Sequence, residues 1–228
     1  MQEGAKIMIE LANRYKGHVK GDPAINMLID VYNTLKSLPC GLPRGYKAQY
    51  TDKYCAEFVT AIARMCQYTD TFPNECGAME MWQKCIQMGI NVSKPEPGAL
   101  IFFSYSHVGL VMEVSNNGQI LTIEGNVSGG KVENKLRQIG DADIIGYALP
   151  VYGDGIQSEF PFDGTIQTAV NVRSSPANLG ALNKIGLLNQ GERVTVIGEN
   201  GKWWKIIFKD GFAYIVKSDG RIDIVKRN

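Results

Sequence analysis

Cys55, His107 and Glu124 give this 228-residue chain a thiol, an imidazole and a carboxylate whose joint chemistry would be nucleophilic attack on a carbonyl. A cysteine becomes a nucleophile when a base takes its proton and a third group orients that base. Cys55 stands where the polar stretch 50–54 gives way to apolar residues spaced three and four apart: Phe58, Val59, Ile62, Ala63 and Met65. That period predicts a helix starting at the cysteine, and Asp52 is placed to cap its first turn. The head of a helix favours negative charge on sulfur. Each residue alone has an ordinary reading. Cys55 would be a small buried hydrophobe, His107 a strand-end histidine, Glu124 an edge charge, and Asn126 a turn former beside Gly125. On one face they make a catalytic set. Cys55 attacks the carbon, His107 takes the thiol proton and gives it to the leaving amine, and Glu124 holds the imidazole. Asn126 polarises the site or positions Glu124. The Cys55 backbone N–H is an expected oxyanion donor, with Tyr54 a candidate for the second. The other histidine, His18, sits in a loop beside Gly17 and is expected at the surface.

The elements that must position these groups follow from periodicity. Residues 3–16 predict a first helix. A second is expected over 22–36, with Asp22 as its cap and Pro23 at its first position. Met79, Trp82, Cys85 and Met88 predict a fourth helix ending at Gly89. The period then changes to strands at 99–105, 107–114, 119–124 and 144–151, with Ser115-Asn116-Asn117-Gly118 as a hairpin turn. Helices followed by an antiparallel sheet make an α+β fold. A four-residue turn places position 107 opposite 126, so His107, Glu124 and Asn126 share one face. Residues 151–165, with Gly153, Gly155, Pro161 and Gly164, read as a linker after a first domain of 1–150. Residues 166–228 carry short alternating runs at 169–173, 184–188, 193–199, 203–208 and 212–215, a small all-β barrel.

Net charge is +1, with 44% hydrophobic and 21% charged residues, which argues against wholesale nucleic-acid binding. No stretch approaches the roughly 20 apolar residues of a membrane span. The N-terminus lacks a signal-peptide pattern, so synthesis in the cytoplasm is expected. The five cysteines show no paired CxxC spacing and fit reduced thiols. No cofactor and no metal are expected.

Residues 1–150 resemble the cysteine, histidine-dependent amidohydrolase/peptidase (CHAP) family, a papain-like branch of the NlpC type. The resemblance rests on residues 29–33 (IDVYN), 43–47 (PRGYK), 50–59 (YTDKYCAEFV), 106–111 (SHVGLV) and 123–126 (IEGN). It implies Cys55, His107, Glu124 and Asn126 as catalytic residues, a thioester acyl-enzyme, and Tyr54 and Asp52 beside the substrate. Tyr54 stands where many members have tryptophan. Some members bind calcium through an acidic loop, but residues 40–54 hold only Asp52 as an acid. Residues 166–226 look like a bacterial SH3-like domain, carried by 171–176 (NVRSSP), 194–198 (VTVIG), 201–206 (GKWWKI) and 213–215 (AYI). Such domains bind peptidoglycan, which implies ligand contacts from Trp203, Trp204, Phe212, Tyr214 and Arg173, with core packing an equal explanation for about half of the aromatics. The pair resembles a bacteriophage endolysin. That implies a monomeric N-acetylmuramoyl-L-alanine amidase or endopeptidase acting on Gram-positive peptidoglycan after release from the host cytoplasm. Two alternatives remain open: a wall-remodelling peptidase of a bacterium or mobile element, and a non-catalytic wall-binding adaptor.

Overall fold

Apolar residues three and four apart wind the first half of the chain into helices α1 (Glu3–Asn13), α2 (Pro23–Asn33), α3 (Cys55–Met65) and α4 (Ala78–Gln87). The computed structural model describes residues 1–37, 41–66, 68, 70–152, 162–209, 211–218 and 222–225. Met8 and Leu11 of α1, and Ile25, Leu28, Ile29 and Tyr32 of α2, are buried. The expected helix over 22–36 stops being α-helical at Asn33 and tightens into a 3-10 turn, Thr34–Ser37. Pro23 opens α2, but the Asp22 carboxylate does not cap it. It accepts instead from the Val19 N–H at 2.9 Å and faces His18 Nδ1 at 3.3 Å.

The chain divides into two compact units, Met1–Ile156 and Gln157–Asn228. In the first, strands β1 (Asn91–Val92), β2 (Leu100–Phe103), β3 (His107–Val114), β4 (Gln119–Val127), β5 (Lys131–Gln138) and β6 (Ile144–Ala148) form one antiparallel sheet. Its order is β1-β6-β2-β3-β4-β5. Helix α3 is the hub. It is buried throughout except at Arg64, packs on α1 and α2, and lies against β3 and β4.

A close approach fixes that packing. A methyl group on Gly125 of β4 would meet Phe58 Cβ of α3 at 2.7 Å, so only glycine lets the helix settle there. Phe58 is one turn into α3, so the contact sets Cys55 at the end of the sheet near β3 and β4. The β3–β4 register agrees with a four-residue turn where it matters: Leu110 pairs with Ile123 and Val111 with Thr122. Nearer the turn it shifts by one between Val111 and Glu113, so Val114 pairs with Ile120 and not with Gln119. The irregularity lies at the far end of the hairpin from His107.

The second unit is an antiparallel sheet of β7 (Phe162–Ile166), β8 (Val170–Arg173), β9 (Lys184–Leu188), β10 (Arg193–Asn200), β11 (Trp203–Phe208), β12 (Gly211–Val216) and β13 (Ile222–Val225). The order is β13-β7-β10-β11-β12-β8-β9. Its core holds Ile166, Val170, Val172, Val194, Val196, Ile206 and Ile215. The expected linker 151–165 is too long by its last residues. Positions 162–165 belong to β7, which pairs with both β10 and β13, while 153–161 lie outside the described residues. The glycine and proline content that suggests a linker there does not stop a strand with partners on both sides.

Gly125→Ala should force α3 off β4. An overpacked contact of this kind costs about 1–3 kcal/mol, so thermal denaturation should show a lower Tm than wild type, and an unchanged Tm would mean that α3 does not rest on this glycine.

Candidate active site

Strand alternation builds the site. Directly opposed residues share a face, as do residues two apart. Phe103 pairs with His107, and the β4–β5 register pairs Glu124 with Glu133, Thr122 with Lys135 and Ile120 with Arg137. His107, Glu124, Thr122, Lys135 and Arg137 therefore lie on one face. Gly109 lies there too, across from Glu124. A methyl group on Gly109 would meet Glu124 Cγ at 2.7 Å, so this glycine leaves the acid the room it occupies.

His107 Nε2 meets Glu124 Oε2 at 2.9 Å. The Cys55 thiol lines the same cleft close enough to act on the imidazole's charge, and with Nε2 committed to Glu124, Nδ1 is the nitrogen left for it. Cys55, His107 and Glu124 are all buried, the Glu124 side chain completely. A cleft opens over them, lined also by Lys53, Tyr105, Asn126 and Arg137. Burial works against a charge on the His107 ring, but the hydrogen bonds and charges of Cys55 and Glu124 outweigh it and lift the ring to about 9. Burial likewise opposes the Glu124 charge, and hydrogen bonds from His107, Arg137 and Thr122 overcome it and hold the carboxyl down at about 2. At neutral pH the site holds an imidazolium beside a carboxylate. Glu57, two residues after Cys55 and outside this cleft, behaves oppositely: desolvation raises its carboxyl to about 8.

Cys55 is the first residue of α3, and Tyr54 occupies the cap position with no side-chain cap. The uncapped start leaves the Cys55 N–H for an oxyanion. Two sequence-based expectations need correcting. Asp52 does not cap α3: its carboxylate accepts from the Gln49 N–H at 2.7 Å and the Tyr46 hydroxyl at 2.6 Å, closing its own turn. Tyr54 does not face the substrate or an oxyanion. It is 1% exposed, and its hydroxyl donates to the Gly130 carbonyl at 2.7 Å. Asn126 lines the cleft in a left-handed backbone conformation, φ 57°. The positioning of Glu124 falls to other groups. Thr122 Oγ donates to Oε1 at 2.6 Å, while Arg137 Nε meets Oε1 at 2.9 Å and Nη2 meets Oε2 at 2.7 Å. Tyr105, stacked on His107 with centroids 5.8 Å apart, is a further wall of the cleft. Sequence reasoning missed Arg137 and Tyr105. Strand β5 buries a single residue, Val132, so its sequence carries little signal for Arg137. Among the described residues no cluster of three or more His, Cys, Asp or Glu stands ready to hold a metal, and no helix is long and apolar enough to cross a membrane.

In the second unit the expected ligand residues divide. Arg173 is buried, and its guanidinium donates to Gly180 O and Asn183 Oδ1, both at 2.8 Å. It clamps the loop after β8 and does not face a ligand. Trp204 packs against the core, with the Lys217 ammonium 4.1 Å above its ring. Trp203 and Tyr214 share the other face of β11 and β12 and stay partly exposed, which leaves them as the aromatic surface. The Phe212 side chain is outside the described ones.

Comparison with known proteins agrees with this organisation. The CHAP domain model matches residues 45–126, which span Cys55 to Asn126, and the bacterial SH3 domain model matches residues 168–220. The chain carries a CHAP domain followed by a bacterial SH3 domain, an α+β fold and then an all-β one. CHAP domains are typically cysteine- and histidine-dependent amidohydrolases or peptidases, and the pairing points to peptidoglycan hydrolysis. No curated protein matches the chain. Among solved structures, "The crystal structure of Ly7917" covers 96% of this chain and 97% of its own at 14% identity, with a TM-score of 0.36. A structure of Ly7917 with the hydrolyzing product of MDP covers 89% and 97% at 15% identity, with a TM-score of 0.34. Likeness at that level carries no argument about this chain's chemistry.

The two histidines make titration by NMR clean. In a His18→Gln variant the remaining ring should titrate near pH 9. Because this value lies above the unfolded one of about 6.5, the pairing contributes full stability below pH 6.5 and loses it as pH rises through 9. A midpoint near 6.5 would contradict the buried pairing.

Proposed function

We propose that this chain is a peptidoglycan hydrolase that cuts an amide bond of the Gram-positive cell wall by cysteine catalysis. The observation carrying the reading is a buried imidazole held between a thiol at a helix start and a carboxylate, in a chain that also bears a bacterial SH3 domain. Cys55, its proton passed to His107, attacks the amide carbonyl carbon through Sγ. The carbonyl electron pair moves to oxygen, where the Cys55 N–H is placed to receive the charge. His107 protonates the leaving nitrogen, the C–N bond breaks, and the amine departs. A thioester now links Cys55 to the acyl fragment. Water gives a proton to His107 and adds to the thioester carbon; the C–S bond breaks, a carboxylic acid leaves, and sulfur recovers its proton. Glu124 stays ionised and holds the ring in one orientation. Asn126 borders the acyl group from the cleft wall.

The bond is the N-acetylmuramoyl-L-alanine amide or a peptide bond of the stem or bridge. The SH3-like unit keeps the enzyme on the wall, with Trp203 and Tyr214 as its contact surface. In this reading the chain is a bacteriophage endolysin, made in the host cytoplasm, reaching the wall after release and acting as a monomer.

On purified Gram-positive sacculi, wild-type protein should release new amino groups, and Cys55→Ala should release none. His107→Ala should lose about 10²–10⁴-fold, the worth of a general acid–base. Cys55→Ala should still sediment with the sacculi. Undiminished release by Cys55→Ala would refute the assignment.

A further inference from the structure

We propose that Arg137 is a positioning residue for the reaction, the counter-charge that keeps Glu124 ionised while His107 is neutral. The inference rests on the cysteine hydrolase reading above. A carboxylate has about four acceptor positions, and four donors fill them here. Oε1 receives Thr122 Oγ and Arg137 Nε, and Oε2 receives His107 Nε2 and Arg137 Nη2. Arg137 supplies half of them through a two-pronged fork that a lysine lacks. The fork is itself held: its guanidinium lies 4.5 Å from the Phe103 ring centroid, in a cleft it shares with Tyr105.

The reaction makes this cation necessary. While His107 is an imidazolium, Glu124 has a positive neighbour on Oε2. Once His107 has given its proton to the leaving amine, that neighbour is neutral. His107 Nε2–H still donates to Oε2, but Arg137 is then the one cation paired with a carboxylate that has no solvent exposure. A buried charge without a counter-charge costs several kcal/mol, and without Arg137 that cost would fall on the proton-transfer step. The remaining charges nearby do not replace it. Glu133 and Lys135 on β5 pair with each other at 2.9 Å, Lys53 sits ahead of α3 on the cleft rim, and Cys55 carries the substrate.

Arg137→Met therefore has a signature that looseness would not produce. Glu124 is left with His107 as its only cation, so the imidazole holds its proton more tightly. In the His18→Gln background the His107 NMR midpoint should rise by roughly half a unit or more. The kcat on a soluble muropeptide should fall about threefold or more, with KM little changed, since half a unit of proton affinity is a factor of about three. Arg137→Lys, a cation without the fork, should give a smaller shift in the same direction, and it carries the test if Arg137→Met does not fold. With Glu124→Gln already present, Arg137→Met should add no further loss. A midpoint that stays put or falls in both variants would overturn the proposal. The NMR readout is independent of activity, so an active Cys55→Ala enzyme would sink the hydrolase reading separately.

Discussion

A carboxylate sealed from water, with a cation on either side, is the constraint on which the first unit depends. Glu124 is charged only because His107, Arg137 and Thr122 saturate its oxygens. Each partner comes from a different place: His107 from β3, Thr122 from β4 itself and Arg137 from β5. The three strands must therefore hold register for the charge to survive, and the sheet and the chemistry are specified together. Burial is costly to the charges yet necessary. It takes water away from the imidazole, so that the thiol and the carboxylate decide its protonation state.

Two glycines let helix and sheet meet on these terms. Gly109 leaves space beside the acid on one face of the sheet, and Gly125 leaves space for Phe58 on the other. Strand alternation puts Glu124 and Gly125 on opposite faces, so one dipeptide step carries the acid and seats the helix that carries the nucleophile. Cys55 reaches the imidazole because α3 begins at the sheet's end.

Much of this was legible in the sequence. The apolar period after Cys55 marked α3 to within its first residue, and the four-residue turn at 115–118 gave the right partners for Leu110 and Val111. Alternation then placed His107 and Glu124 on one face. Other features were hidden for physical reasons. Strand β5 reads Lys-Val-Glu-Asn-Lys-Leu-Arg-Gln, with one buried residue, and its edge position in the sheet needs no apolar alternation. With β5 unread, Arg137 had no address. Asp52 and Tyr54 had the residue types for a cap and a substrate wall, but a local turn and a tertiary hydrogen bond to Gly130 claimed them. Arg173 reads as a ligand-facing cation until Asn183, ten residues on, is folded back against it.

The central claim is that Cys55 becomes acylated by the wall. Acid-quenching the enzyme during digestion of sacculi, followed by peptide mass spectrometry, tests it most directly. The account predicts a muropeptide mass on the peptide bearing Cys55, removed by hydroxylamine as a thioester would be. Continuing wall hydrolysis with Cys55 unmodified at every time point, or with the adduct on another residue, would contradict it.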